Sequence, residues 1–339
     1  MVISRVKRKF PVAIPLLILA VLTALLSFVG VIPSEWVETE YARSFFPPVS
    51  HMASFFADAV PFSWLDFWIV AAISVLVYSV WRRNWRLPLG VISLAYLVFF
   101  WGWGLNYHRT PLEARLGLKG AMYYSPEEVD QFTRDTAASL NRLWPSVIAT
   151  TPDKVAQRAA ARVRRVTRQI DGKGGWVAAS RIKHSYLADW WFRMAGIDGV
   201  FNPFGHEPIL VGGVPSFELP FLTAHELAHV QGIADEGDAN FIAFLATVAS
   251  NDPGFQYSGA FEMWVHLHGP VRLLDPGPRQ DLQAFYERLR SQEVPQATRL
   301  QSAILDSHLR ANGVREGLAS YSRFVTLAIA TRSRWNEFN

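Results

Sequence analysis

His225-Glu226-Leu227-Ala228-His229 sets two imidazoles four residues apart, with a carboxylate beside the first. At 3.6 residues per turn, positions i and i+4 share one helix face, so both rings can reach a single metal ion. Glu226 lies about 100° round the helix and is poorly placed to be a third ligand. It is well placed to hold the attacking water. Two histidine ligands, an adjacent base and an open coordination position are what a zinc hydrolase needs. The pattern fixes only three positions, and chance produces it in roughly one comparable sequence in a hundred. The bland alternative is a buried helix whose histidines bond to polar neighbours. Context favours the chemical reading. Phe221, Leu222, Leu227, Ala228 and Val230 make the helix apolar, Gly232 ends it, and the acidic run Asp235, Glu236, Asp238 follows at once.

Two readings compete for the third ligand. Residues 225–235 read HExxHxxGxxD, similar to a metzincin zinc motif with Asp in place of its third His. Residues 236–240 read ExxAN, similar to the gluzincin pattern, in which a Glu on the following helix completes the site. Phe241, Ile242, Phe244, Leu245 and Val248 continue with helical spacing. That puts Glu236 in the first turn of a new helix, facing the same way as Asn240. Glu236 is the favoured ligand and Asp235 the runner-up. Asp238 reads as a charge near the helix N-terminus.

These elements sit behind a strongly apolar leader. The chain has 339 residues, half of them apolar, with thirteen Trp and no Cys. That suffices for a membrane region and one sizeable domain. Without thiolates, zinc must be held by nitrogen and oxygen. Residues 11–32, 63–81 and 87–105 form three apolar runs and predict three transmembrane helices. The first run lacks a small-residue cleavage site, so it reads as a span rather than a signal peptide. Arg5, Lys7, Arg8 and Lys9 precede the first run, and Arg82, Arg83 and Arg86 fill the second connection. The first connection carries Arg43 against Glu35, Glu38, Glu40 and Asp58. The positive-inside rule then predicts an inner-membrane, multi-pass protein with residues 1–109 in or at the bilayer and 110–339 extracytoplasmic. Residues 1–105 hold eight Lys/Arg and five Asp/Glu, the remainder 25 and 24. The C-terminal part is therefore nearly neutral, which excludes nucleic acid as a natural partner.

In that part, Ser125-Pro126-Glu127-Glu128 is a capping box, predicting a helix to about residue 144. Thr151-Pro152-Asp153 starts a basic helix to about residue 170, whose Arg162, Arg164, Arg165 and Arg168 read as a solvated face. Residues 199–219 are the strand region, read equally as an edge strand for a peptide or as a structured loop. Further helices are expected over 281–292, 295–311 and 316–330. The expected fold is mainly α: three transmembrane helices, then a zincin-like α+β domain with a small edge sheet.

The chain resembles the DUF3810 family of bacterial membrane proteins, which looks like a gluzincin-type zinc metallopeptidase. The matching stretches are Trp103-Gly104-Leu105-Asn106-Tyr107 with Arg109, residues 199–204, Leu219-Pro220-Phe221, residues 225–229 with Gly232, residues 236–241, Tyr257-Ser258-Gly259, and Asp306, Leu309, Asn312-Gly313, Glu316-Gly317 and Ser320-Tyr321. The resemblance covers about residues 100–325 and implies Glu236 as third ligand. The chain departs from the pattern at Asp238, where Glu is usual, and at His308, where Tyr is usual. The expected activity is peptide hydrolysis outside the cytoplasm by a membrane-anchored zinc enzyme. His225, His229 and Glu236 would bind Zn2+, Glu226 would act as general base, and Tyr321, Tyr257 or His308 would donate to the oxyanion. The alternatives are a zinc hydrolase for a non-peptide amide or lipid-linked substrate, and a non-catalytic membrane scaffold. A structural site would have no use for Glu226.

Overall fold

Apolar residues at helical spacing dominate the first hundred positions, and they form helices whose side chains stay exposed. A computed structural model of the chain describes residues 12–118, 124–147, 152–172, 181–312, 314 and 323–338. Helices α1 (Ala13–Val29), α2 (Trp64–Trp81) and α3 (Arg86–Gly102) occupy the three apolar runs. Among the described residues, α2 alone is long and apolar enough to cross a membrane by itself. A second candidate arises only if α1 is joined with the helical segment Ser34–Asp58, from which it is bent by 111°. α3 is shorter, 17 residues, or about 25 Å against a hydrocarbon core of about 30 Å. It stops before residue 105 because the next residues turn inward. Gly104–His108 is a 3-10 turn, and Trp103, Leu105 and Asn106 are buried. On α1, α2 and α3, Leu22, Val70, Ile73, Ile92 and Val98 remain exposed.

Carboxylates tie these helices to the rest of the chain. Glu207 is fully buried and accepts from Ser63 Oγ, the Trp64 and Leu65 amides at the start of α2, and Asn202 Nδ2, at 2.8–3.1 Å. One turn on, Asp66 accepts from Ser185 Oγ and the amides of Tyr186 and Leu187. A negative group suits a helix N-terminus, where amides lack intrahelical partners. Beyond α3, buried Arg109 bridges Glu38 and Asp171, and Arg115 joins the same network.

The C-terminal part is built around two helices that are apolar on every side. The Ser125 hydroxyl accepts the Glu128 amide and the Glu128 carboxylate accepts the Ser125 amide, so the capping box starts α4 (Pro126–Leu143). α5 (Pro152–Asp171) presents Val155, Ala159, Val163 and Val166 to the core. Arg162, expected on its solvated face, instead donates to the carbonyls of Ala246, Ala249 and Phe338. β1 (Gly199–Asn202) and β2 (Glu207–Leu210) form one antiparallel sheet with Gly199 opposite Leu210 and Asn202 opposite Glu207. α6 (Leu219–Val230) carries the histidines, and α7 (Glu236–Val248) follows directly. Both are buried almost throughout, as helices without a polar face must be. α8 (Pro253–His266) and α11 (Arg323–Ala330) pack against them, α9 (Pro276–Gln292) packs on α4, and α10 (Pro295–Ala311) follows α9. α9 begins five residues before the expected position, because Pro276 serves as its first residue instead of breaking it. The start of the last expected helix, 316–322, lies outside the described residues.

Glu207 holds α2 to the sheet through four donors. Glu207→Ala leaves the Trp64 amide, the Ser63 hydroxyl and Asn202 Nδ2 without this acceptor, at about 1–3 kcal/mol for each buried group left unpaired, while the Leu65 amide keeps Ser63 Oγ. The variant is expected to unfold at clearly lower temperature or denaturant concentration in detergent solution, with Glu207→Gln less affected.

Candidate metal centre

The turn after α6 is what fixes the second histidine. Gly232 takes φ +77°, a left-handed conformation that suits glycine. The Ile233 amide then bonds the Ala228 carbonyl and the Gly232 amide bonds the His229 carbonyl, which is a Schellman closure. This folds the Ile233 carbonyl back onto the ring of His229, 2.7 Å from Nδ1. A carbonyl only accepts, so Nδ1 carries the proton and, in the neutral ring, Nε2 presents a lone pair. Trp103 Nε1 donates to the backbone carbonyl of the same histidine at 3.0 Å. Asp235 caps α7 by accepting the Asp238 amide, which places Glu236 in the first turn.

The result is a convergence of three donors from two helices. His225 Nε2 and His229 Nε2 are 3.1 Å apart. Glu236 Oε2 lies 3.2 Å from the first and 3.5 Å from the second. Among the described residues, these three form the one group of His and acidic side chains close enough to share a metal ion, with ligand atoms within 4.8 Å of one another. Asp235 is engaged elsewhere, in its cap and with Arg323 at 2.6 Å. Asp238 also pairs with Arg323.

Electron pairs facing one another in a buried site repel unless something positive lies among them. Burial opposes charge on His229, but the adjacent Glu236 carboxylate outweighs it and lifts that histidine to about 9. Burial also opposes charge on Glu236, yet the two histidines hold its carboxyl well below the usual range. A proton on His229 can therefore fill the position, and a divalent cation would compete for the same lone pairs. Two nitrogens and one oxygen, with a cleft on the open side, are a donor set that fits zinc.

Glu226 does not join the cluster. It is 4% exposed and its Oε2 has no hydrogen-bond partner in the protein. Burial raises its carboxyl to about 7, against the pull of the two histidines. β1 crosses directly over it. Phe201 stacks on the His229 ring at 6.4 Å, and Gly199 sits over Glu226. A Cβ at residue 199 would overlap Glu226 Oε1 and lie 2.9 Å from its Cδ and from Leu210 Cδ2.

The donors and Glu226 open on a cleft of about 740 Å³. Of the expected oxyanion donors, His308 lines this cleft. Tyr257 does not. It is buried in a second core cluster and its hydroxyl donates to Asp281 at 2.6 Å, so its hydrogen is already committed. Tyr321 lies outside the described residues. Sequence reasoning missed Tyr107, which lines the cleft with its hydroxyl 3.3 Å from His308 Nε2. Burial, with Glu236 and Asp235 nearby, pushes its phenol up, so it stays protonated. Also missed were Glu262 and His266, a pair 3.3 Å apart on α8 at the cleft wall. Tyr107 stood in a quoted motif, Trp103 to Tyr107, but nothing in its spacing pointed to residues two hundred positions away.

A mainly helical chain with a two-stranded sheet laid over an HExxH helix is the class that fold and site define. The chain belongs to the DUF3810 family, described as a protein of unknown function, whose pattern matches residues 41–329. No curated protein and no solved structure matches it.

The overlap at residue 199 gives a direct check. Gly199→Ala must displace either the Glu226 carboxyl or β1, an overpacking cost of about 1–3 kcal/mol. A fall in thermal stability is expected for this variant, and a much smaller one for Val200→Ala, which adds no atoms over the carboxylate.

Proposed function

We propose that the protein is a membrane-anchored zinc metallopeptidase. The observation that carries this reading is the convergence of His225, His229 and Glu236 beside a buried carboxylate, Glu226, that lines the same cleft and has one oxygen without a hydrogen-bond partner in the protein. Bound zinc would supply a water acidified to a pKa of about 7 and an electrophile for the scissile carbonyl. Glu226 would take a proton from the attacking water and pass it to the leaving amine. Its burial suits the task, since desolvation raises the proton affinity of a carboxylate that must first take a proton and then give it up. Gly199 leaves the room this carboxyl occupies, and the Ile233 carbonyl holds His229 in the tautomer that binds metal.

Tyr107 is the donor this reading assigns to the developing oxyanion. Asn312 Nδ2 lies 3.5 Å from His308 Nδ1 and bonds the His308 carbonyl. In the tautomer that accepts from Asn312, His308 Nε2 donates to the Tyr107 oxygen. The phenolic hydrogen is then free to point into the cleft. His308 stands where the family usually has Tyr, and here it orients a phenol from another helix.

A peptide substrate is supported by the edge of the sheet. The bond from the Val211 amide to the Asp198 carbonyl sets the phase of the ladder. Alternation directs the backbone groups of Val200 and Asn202 to β2 and those of Gly199 and Phe201 to the open edge. That edge lines the cleft, so an extended chain can add to it as a strand. The other side of the sheet is already occupied by Lys183, which bonds Pro208 and Leu210.

The membrane part of the reading takes residues 1–109 as three spans and 110–339 as an extracytoplasmic domain. It is supported by the apolar side chains exposed on α1, α2 and α3 and by the charges of their connections. α3, with 17 residues, reaches across by local thinning of the bilayer.

Purified protein is expected to hold one zinc per chain by elemental analysis, lost in His225→Ala and His229→Ala and weakened more by Glu236→Ala than by Asp235→Ala. Retained zinc in the double histidine variant would remove the site. Glu226→Gln is expected to keep zinc and fold while hydrolysis of a cleaved peptide falls about 10²–10⁴-fold. Tyr107→Phe is expected to lower kcat about 10²–10³-fold with zinc retained. Undiminished turnover in Glu226→Gln would show that another group takes the proton.

A further inference from the structure

The metal centre is joined to the end of an apolar helix. Phe99, in the last turn of α3, meets Trp103 at 6.0 Å between ring centroids, and Trp103 meets His229 at 6.3 Å. The Trp103 indole also bonds the His229 carbonyl. Phe99 and Trp103 form one wall of the cleft, and Leu305 and His308 on α10 form another. Phe99 touches His308 at 5.7 Å, so the two walls meet above the end of α3.

α10 adds a second observation. Few of its residues are buried, Ala297 and Leu309 among them. One turn apart on its outer surface, Leu300 and Ile304 are each 53% exposed. Across the cleft, Val98 and Trp101 on α3 are exposed as well. Exposed apolar side chains are thus found on both helices that wall the cleft, α3 and α10. A bilayer is the occupant that covers such a surface when one side of it is already a membrane helix.

We infer that the cleft takes polypeptides that are themselves anchored in the bilayer, and cuts them within a few residues of the apolar segment. The inference rests on the peptidase and membrane readings above. Leu300 and Ile304 dip into the interface and hold α10 at headgroup level. The scissile bond, brought to His225, His229 and Glu236, then lies close above the membrane surface. Hydrolysis adds hydroxyl to the carbonyl carbon and a proton to the leaving nitrogen, releasing the outer part and leaving a short stub. β1 runs from the interior of the site toward Pro203 and Phe204, both on the cleft wall. The substrate strand lies along that edge.

The test uses the full chain in lipid vesicles and one quenched peptide sequence that the wild type cleaves. The peptide is presented free, or fused to an apolar transmembrane segment through spacers of about 4, 12 and 24 residues, reaching at most about 14, 42 and 84 Å. Glu226→Gln in parallel vesicles subtracts contaminating proteases. Anchoring alone raises the local concentration to the millimolar range and favours every anchored form. The spacer series separates that effect from placement. The expected result is cleavage of the shortest anchored form at least about 100-fold faster than the free peptide at micromolar concentration, falling at least tenfold as the spacer lengthens. Leu300→Asp with Ile304→Asp is expected to flatten this spacer dependence. Anchored rates that rise with spacer length, or are indifferent to it, would overturn the inference and leave the peptidase reading standing. If neither free nor anchored peptides from a broad panel are cut while zinc is bound, the peptidase reading falls and the inference with it.

Discussion

The structure depends on holding like groups together out of water. Two imidazole lone pairs and two carboxylates, Glu226 and Glu236, share one buried corner, and none of them tolerates that position cheaply. Their placement is over-determined by the elements around them. α6 and α7 are apolar on all sides and so cannot turn their polar residues to solvent. The Schellman turn at Gly232, the cap at Asp235 and the Trp103 bond each remove one freedom from a ligand. What is left is a set of donors pointing at one place whether or not a cation lies there. Such preorganisation is the usual requirement of a site that does chemistry, and a structural metal would not need the extra carboxylate.

The same logic explains how the two halves of the chain hold one another. Buried or half-buried charged residues beside apolar helices are costly unless paired, and here Glu38, Asp66 and Glu207 find partners across the boundary. Glu207 and Asp66 join the start of α2 to the sheet and to the segment before residue 189. Arg109 joins the segment after α1 to the end of α5 through Glu38 and Asp171. Movement of α2 would have to break buried, charge-assisted hydrogen bonds, and movement of the end of α3 the bond from Trp103 to the His229 carbonyl, so these helices are fixed to the sheet and to α6. An anchor that merely tethered a domain would need none of these contacts.

How much of this was legible in the sequence follows from the range of each interaction. The i, i+4 spacing of His225 and His229 and the ExxAN spacing after them are local, and the structure brings together the three residues they singled out. The capping box at Ser125 is equally local. Periodicity found the apolar runs but not their ends. It carried the third run to Leu105, whereas Trp103 and Leu105 are apolar because they face Phe46, Phe100 and Ala234 in a core cluster. Hydropathy alone cannot separate a lipid-facing Trp from a buried one. The segment Ser34–Asp58, read as a charged connection, is helical, and Glu38 within it is buried against Arg109 and Arg115, which lie far along the chain.

The tyrosines on either side of the site show the same limit more sharply. Tyr257 and Tyr107 are the same residue type in similar apolar contexts, and only the fold separates them. Asp281 takes the hydrogen of Tyr257, while His308 turns toward Tyr107 and leaves it in the cleft. A phenol is useful to a reaction when its hydrogen is not already spent on a stronger acceptor, and that is a property of the partner, not of the tyrosine. The hydroxyl of Tyr107 meets His308 at 3.3 Å instead of a carboxylate, so the residues just past the third apolar helix bring both a wall and a phenol to the same cleft.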